Sequence, residues 1–186
     1  MSNTTSSLRR KIESAGDLQS VVRTMKAVAA SSIGQYEKSV TALADYYRAV
    51  ELGLGACFRE GVQVPLIAER AAKTVTGAIG AVVFGSDQGL VGQFNDVVAD
   101  YAVKTLAALP AKAGIWAVGE RVHERLADAG LPLRGIFAVP NSVKAITPLV
   151  GQILVECEAR QRQGEVSELH LFYNRPTSGA VYTPVT

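Results

Sequence analysis

The sequence predicts an α/β protein in two unlike parts: a long N-terminal coiled-coil helix, then a doubly wound, mostly parallel sheet domain. Three observations carry this. No proline precedes Pro65, and the apolar residues before it recur at helical spacing for about fifty positions. Beyond that stretch, short apolar runs alternate with helical patterns, as βα units require. Glycine-rich turns punctuate the second part and are scarce in the first.

Stepping from Leu8 by sevens gives Leu8, Ala15, Val22, Ala29, Tyr36, Leu43 and Val50, all apolar. The companion set is Ile12, Gln19, Lys26, Ile33, Val40, Tyr47 and Leu54, with only Gln19 and Lys26 polar. A seven-residue repeat held this long makes a helix supercoil about a partner. Ser6 or Ser7 is the expected N-cap, and Gly53 and Gly55 suit the C-terminal end. From Leu8 to Ala56 such a helix runs roughly 70 Å at about 1.5 Å per residue. Leu18, Val21, Met25 and Val28 widen its apolar face, while the small residues of "AVAASS" keep the middle slim. Each buried apolar side chain is worth about 1.5–3 kcal/mol, so a seam of about a dozen carries on the order of 20 kcal/mol. Such a face does not stay wet. No comparable helical stretch follows, so the expected cover is another chain or a part of the polypeptide outside these 186 residues.

The expected division is 1–56 for the helix, 57–74 for a linker and 75–186 for the sheet domain. "GAIGAVVF" (77–84) reads as a buried strand, followed by the glycine-rich loop "GSDQGLVGQ" and a helix capped by Asn95. "GIWAV" and "GIFAV" are further strands, separated by the short helix "ERVHERLADAG" with Gly130 at its stop. Thr147 and Pro148 are expected to open a last helix as N-cap and first helical residue. "ELHLFYN" closes the series as a strand.

Composition excludes several classes of function. The 186 residues are 48% hydrophobic and 19% charged, with a net charge of +2, far from the basic footprint of a nucleic-acid-binding protein. Cys57 and Cys157 match no metal spacing and read as buried, reduced thiols. His123 and His170 lack a second ligand at metal spacing, so no metal or cofactor is expected. No apolar run is long enough to span a bilayer, so direct membrane insertion is not expected either. "MSNTTSSLRR" lacks the apolar core of a secretory signal, and the chain reads as soluble and cytoplasmic.

The loop after the first strand is where a doubly wound sheet holds ligands. Its glycines, Gly85, Gly89 and Gly92, do not make the dinucleotide fingerprint, and no phosphate-loop lysine follows. Ser86 has no base, and Asp87 reads as a turn residue bonding nearby backbone. Ser86, Asp87, Gly89, Gly92 and Asn95 are therefore expected to form a structural turn. In the helix, Arg9, Arg10, Lys11, Arg23 and Lys26 outnumber Glu13 and Asp17. Arg23 and Lys26 project together, and Lys26 interrupts the seam, which fixes register or meets a polar partner.

Two long motifs together resemble the gamma subunit of F-type rotary ATP synthases. "LRRKIESAGDLQSVVRTMKAVAASS" is similar to that family's opening helix, and "SDQGLVGQFN" to its turn after the first strand; "FYNRPTS" looks like its Tyr-Asn step after the last strand. The resemblance implies a non-catalytic shaft. In that family a C-terminal helix returns antiparallel along the first, and the pair turns inside a ring of alpha and beta subunits, above the epsilon subunit and the c ring. It implies a peripheral place at the cytoplasmic face of the cell membrane. It also implies that the second helix should follow Thr186, so that the chain is a truncated or fragmentary gamma subunit. Arg9, Arg10, Arg23, Met25 and Lys26 become the expected partner contacts. Leu8, Ile12, Ala15, Val22, Ala29, Ile33, Tyr36, Val40, Leu43 and Tyr47 become the coiled-coil seam. Ser32, Gln88 and Gln93 depart from the family's basic residue, Arg or Lys, and glycine at those points, and "DLQSVV" lacks a frequent lysine. This shaft is less basic than is typical. The coupling ion, proton or sodium, is a property of other subunits. The competing expectation is a doubly wound domain binding a small anion at "GSDQGLVGQ", with a dimerising N-terminal helix.

Overall fold

A computed structural model describes residues 4–59, 79–109, 113–179 and 181–186. It divides into two compact units, Met1–Val64 and Pro65–Thr186. The first is one continuous helix, α1 (Thr5–Arg59), none of whose residues is buried. It outruns the expected span at both ends. Thr4, not Ser6 or Ser7, precedes the first turn, and its carbonyl accepts from the amides of Ser7 and Leu8. Gly53 and Gly55 lie inside the helix, because neither adopts the left-handed backbone with which glycine stops one. Cys57 is helical and exposed, against the expectation of a buried thiol. Most of the expected linker, and the first two residues of the expected strand 77–84, lie outside the described residues.

The second unit is a five-stranded sheet with helices on both faces. In chain order it holds β1 (Ile79–Phe84), α2 (Phe94–Ala107), β2 (Ala113–Val118), α3 (Glu120–Asp128) and β3 (Leu133–Phe137). A 3-10 turn (Val143–Ala145) then leads to α4 (Ile146–Arg162), β4 (Glu168–Ser178) and β5 (Val181–Val185). The strand order is β3-β2-β1-β4-β5, parallel except for β5 against β4.

Alternation along β1 divides the core. Ile79, Ala81 and Val83 face one side with Ile115, Ala117 and Phe172, under Val98, Ala102 and Leu106 of α2 and Val122 and Leu126 of α3. Val82 faces the other side with Trp116 and Val118, under Leu149 and Ile153 of α4. A strand covered on both faces must be apolar throughout, which is why "IGAVVF" shows no polar alternation.

Three details differ from the sequence reading. The N-cap position of α2 is Gln93, and Asn95 sits within the first turn with its side chain turned elsewhere. Helix α4 starts at Ile146, so Thr147 is not its cap; Pro148 falls in the first turn, where a missing amide costs nothing. Strand β5 was not expected. It returns after Gly179, at φ 58°, and Pro184 fits because β5 is an edge strand. Cys157 is half-buried, and burial, aided by the charge of Glu156, pushes its thiol up.

Phe172 is fully buried between the sheet and α2. Phe172→Ala is expected to destabilise the α/β unit by about 3–5 kcal/mol. Urea titration followed by fluorescence of Trp116, the single tryptophan, reads this directly.

Candidate functional site: an uncovered helical seam and a braced turn

The turn after β1 is built from the sheet outward. Gly85 enters so close to its neighbours that an added Cβ would lie 2.4 Å from Val122 Cβ and 2.6 Å from Asn95 Oδ1. Only glycine fits. Asn95 then clamps Ser86 twice: its Oδ1 accepts from the Ser86 amide at 2.9 Å, and its Nδ2 donates to Ser86 Oγ at 2.9 Å. Ser86 Oγ in turn donates to the Gln88 carbonyl. With its hydroxyl so engaged, Ser86 is a brace and not a nucleophile.

Asp87 reaches across to two later connections. Its Oδ1 accepts from the Glu120 amide at 2.9 Å and its Oδ2 from the Val139 amide at 3.2 Å. Glu120 opens α3, so the carboxylate lies at a helix N-terminus, where the exposed amides and the helix dipole favour negative charge. The place a free anion would take is filled by the chain itself. Gly119 completes the junction with φ 111°, and a Cβ there would meet the Ser86 backbone at 2.8 Å. The structure thus brings Ser86, Asp87 and Asn95 together. Gly89 and Gly92 lie further out in the exposed part of the same turn, where Gly92 (φ 60°) and Leu90 (φ 61°) take left-handed backbone.

Beside this turn, an open groove of about 260 Å³ is bordered by Gly89–Gly92, Asp96, Arg121, Arg125 and Asp128. Its arginines are engaged locally, Arg125 with Asp96 at 2.9 Å and Arg121 with Glu124 at 3.0 Å. Among the described residues, no group of three or more His, Cys, Asp or Glu side chains is placed to hold a metal ion.

Sequence reasoning missed two braces. Asn174 Nδ2 donates to the Phe94 carbonyl at 2.8 Å, tying β4 to the start of α2, and Phe94 packs edge-on against Tyr182 at 5.2 Å. Gly119 was missed as well. The Tyr-Asn step was visible as a motif, but its contact spans 80 residues of chain, and no local signal marks it.

Along α1 the seam residues form a different kind of site. Ile12, Ile33, Val40, Leu43 and Tyr47 are each more than half exposed, and Leu8 and Val22 nearly so. Ala15 and Ala29 are exposed, and Tyr36 and Met25 are half-buried against their own helix. Arg9, Arg10, Arg23 and Lys26 are exposed and take part in no ion pair among the described residues. The hydroxyls between them are turned inward on the helix. Thr24 donates to the Ser20 carbonyl at 3.0 Å, and Ser31 and Ser32 both donate to Val28 at 2.8 and 3.2 Å. This stretch therefore presents small side chains whose hydroxyl donors are already engaged within the helix.

Fold and site together define a class: a rod-like helix with an open seam, joined in sequence to a doubly wound domain whose ligand turn is closed by its own side chains. The family model described as ATP synthase matches residues 4–186. The chain belongs to that family. It is similar to the ATP synthase gamma chain of Pelotomaculum thermopropionicum, 31% identical over 96% of this chain and 62% of that one. It is likewise similar to that of Desulfitobacterium hafniense, 25% identical over 95% of this chain and 62% of that one. The chain therefore spans about three-fifths of the length of these relatives. Its fold matches the rotor of Euglena gracilis mitochondrial ATP synthase with a TM-score of 0.56 over 95% of this chain and 59% of that one. At 18% identity that match speaks for the fold alone.

Asp87→Ala is expected to lower stability by about 1–3 kcal/mol through two lost charge-assisted bonds. Millimolar inorganic phosphate should leave the unfolding midpoint of the unmodified chain unchanged. A phosphate-dependent rise would instead favour the anion-binding reading.

Proposed function

We propose that this chain is the central-stalk, gamma-type part of an F-type ATP synthase. It would couple ion-driven rotation to ATP synthesis or hydrolysis on the beta subunits, with no bond-making chemistry of its own. The family match across residues 4–186 carries the reading, and the continuous, uncovered helix α1 supports it. In this reading the helix, expected as 1–56 and reaching Arg59 in the structure, is the shaft; 57–74 is the expected linker and 75–186 the foot domain.

The physical demands on a shaft are stiffness and a surface that does not stick. Stiffness needs a second helix in the heptad seam. Low friction needs weak contacts, and the small side chains of Ala27, Ala29, Ala30, Ser31 and Ser32 suit that. Arg9, Arg10, Arg23, Met25 and Lys26 are proposed as passing contacts to the alpha and beta ring. Exposed charge pairs of this kind are worth under about 1 kcal/mol each, which suits a bearing because a strong contact would trap one angle. The foot domain is proposed to lie near the epsilon subunit and the c ring. Among the described residues no helix is long and apolar enough to cross a membrane, in keeping with peripheral attachment, proposed at the cytoplasmic face of the cell membrane. The second reading, an anion-binding domain, is disfavoured by Asp87 occupying the α3 N-terminus.

The test places these residues in a complete gamma chain within an assembled complex. Arg23→Glu with Lys26→Glu is expected to change the ratio of ions moved to ATP hydrolysed by about two- to tenfold while leaving assembly intact. Unchanged coupling in a fully assembled complex would retire the assignment of these two residues.

A further inference from the structure

We propose that α1 contains a hinge at Val28–Gly34, joining two straight arms, Thr5–Ala27 and Gln35–Arg59. None of its residues is buried, so α1 is held by its backbone ladder and by propensity alone. Weak points in the ladder then decide where it bends. Three of them coincide in this window.

The first lies in the ladder itself. Ser31 Oγ donates to the Val28 carbonyl at 2.8 Å, and Ser32 Oγ donates to the same oxygen at 3.2 Å. In an α-helix that oxygen is also the acceptor of the Ser32 amide. Hydroxyls bonded back onto a helix weaken it and bend it. Thr24, Ser39 and Thr41 each back-bond to a carbonyl of their own, whereas the Val28 carbonyl takes two hydroxyls.

The second is Gly34, two residues on, since helices kink where glycine and serine fall together. A Cβ added there meets nothing within 4 Å, so no close approach requires the glycine. The third lies in the seam, which between Val22 and Ile33 holds only Lys26 and Ala29. A second helix therefore finds least to grip beside this window, and pairing does not splint it. Nor do charges, because no ion pair lies along α1 among the described residues. Gly16 has no back-bonded hydroxyl in its turn, and Gly53 and Gly55 lie near the helix end, so neither place combines these features.

The N-terminal arm is about 35 Å long at about 1.5 Å per residue, so a bend of about 20° moves its tip by about 12 Å. The ladder stays continuous through the window, and rotation still passes along it. The use of the hinge rests on the stalk reading: a tip that tilts can follow an uneven wall while the rest of the rod turns. Its existence does not, because the hinge is read on the 186-residue chain alone and coupling on an assembled complex.

Residual dipolar couplings of the 186-residue chain are expected to require separate orientations for residues 8–27 and 35–56, with α-carbon shifts showing a dip in helicity at 28–34. Gly34→Ala should raise the local helix-to-coil ratio about fivefold, and adding Ser31→Ala and Ser32→Ala should bring the gain to about tenfold. The triple variant should align the arms in one orientation. Gly16→Ala should raise helicity around residue 16 and leave the arms separately oriented. A single orientation in the unmodified chain would overturn the proposal. Arms that stay separate in the triple variant, or that align in Gly16→Ala, would overturn it as well.

Discussion

A helix of 55 residues with no buried side chain has only its backbone ladder and its propensity to hold it. Isolated helices are marginal in water, and most helical stability in proteins comes from burying an apolar face. The seam from Leu8 to Leu54 thus carries free energy that the described chain does not realise. Everything proposed for α1 follows from that deficit. A rod becomes stiff only when a second helix fills the seam, and only a stiff rod transmits torque. Under the proposed shaft role, the small, internally bonded residues around Ser31 and Ser32 would leave the remaining faces little to catch on.

The α/β unit obeys the opposite logic. Its core is closed on both faces of the sheet, and the turn where such sheets usually take a ligand is closed as well. Gly85 lets the Val122 and Asn95 side chains approach the backbone, Gly119 lets the Ser86 backbone do so, Asn95 clamps Ser86, and Asp87 spans to α3 and to the segment after β3. A carboxylate from the chain sits where a substrate anion would otherwise be drawn. In a fold that elsewhere binds nucleotides, this turn is instead closed by the chain's own side chains. In the proposed stalk reading, such bracing would help the domain carry torque without deforming.

Much of this was legible in the sequence because it rests on short-range pattern. The heptad repeat announced α1, and apolar runs between helical segments announced β1 through β4. Gly130 marked the end of α3 as expected, with φ 73° just beyond it. What escaped depends on long-range contact or on ends. Asn95 looked like a cap because asparagine before an apolar run usually is one. Its partner Ser86 lies nine residues back, across a turn whose path sequence does not reveal. Strand β5 escaped because Pro184 argues against a strand unless the strand is known to lie at an edge. Gly53 and Gly55 resemble a stop, yet glycine stops a helix only where the chain turns left-handed. The roles of Arg9, Arg10, Arg23 and Lys26 depend on surfaces outside this chain, and sequence identifies them only as charges spaced along an otherwise apolar rod.

The idea beneath all of this is that α1 stays open until a second helix arrives. Amide hydrogen exchange across Leu8–Leu54 of the chain, measured at successive dilutions down to nanomolar, addresses it most directly. The account predicts little protection in the chain alone and strong protection once a helix is supplied to the seam. Full protection at the lowest concentration would mean that the seam is already covered, and would contradict it.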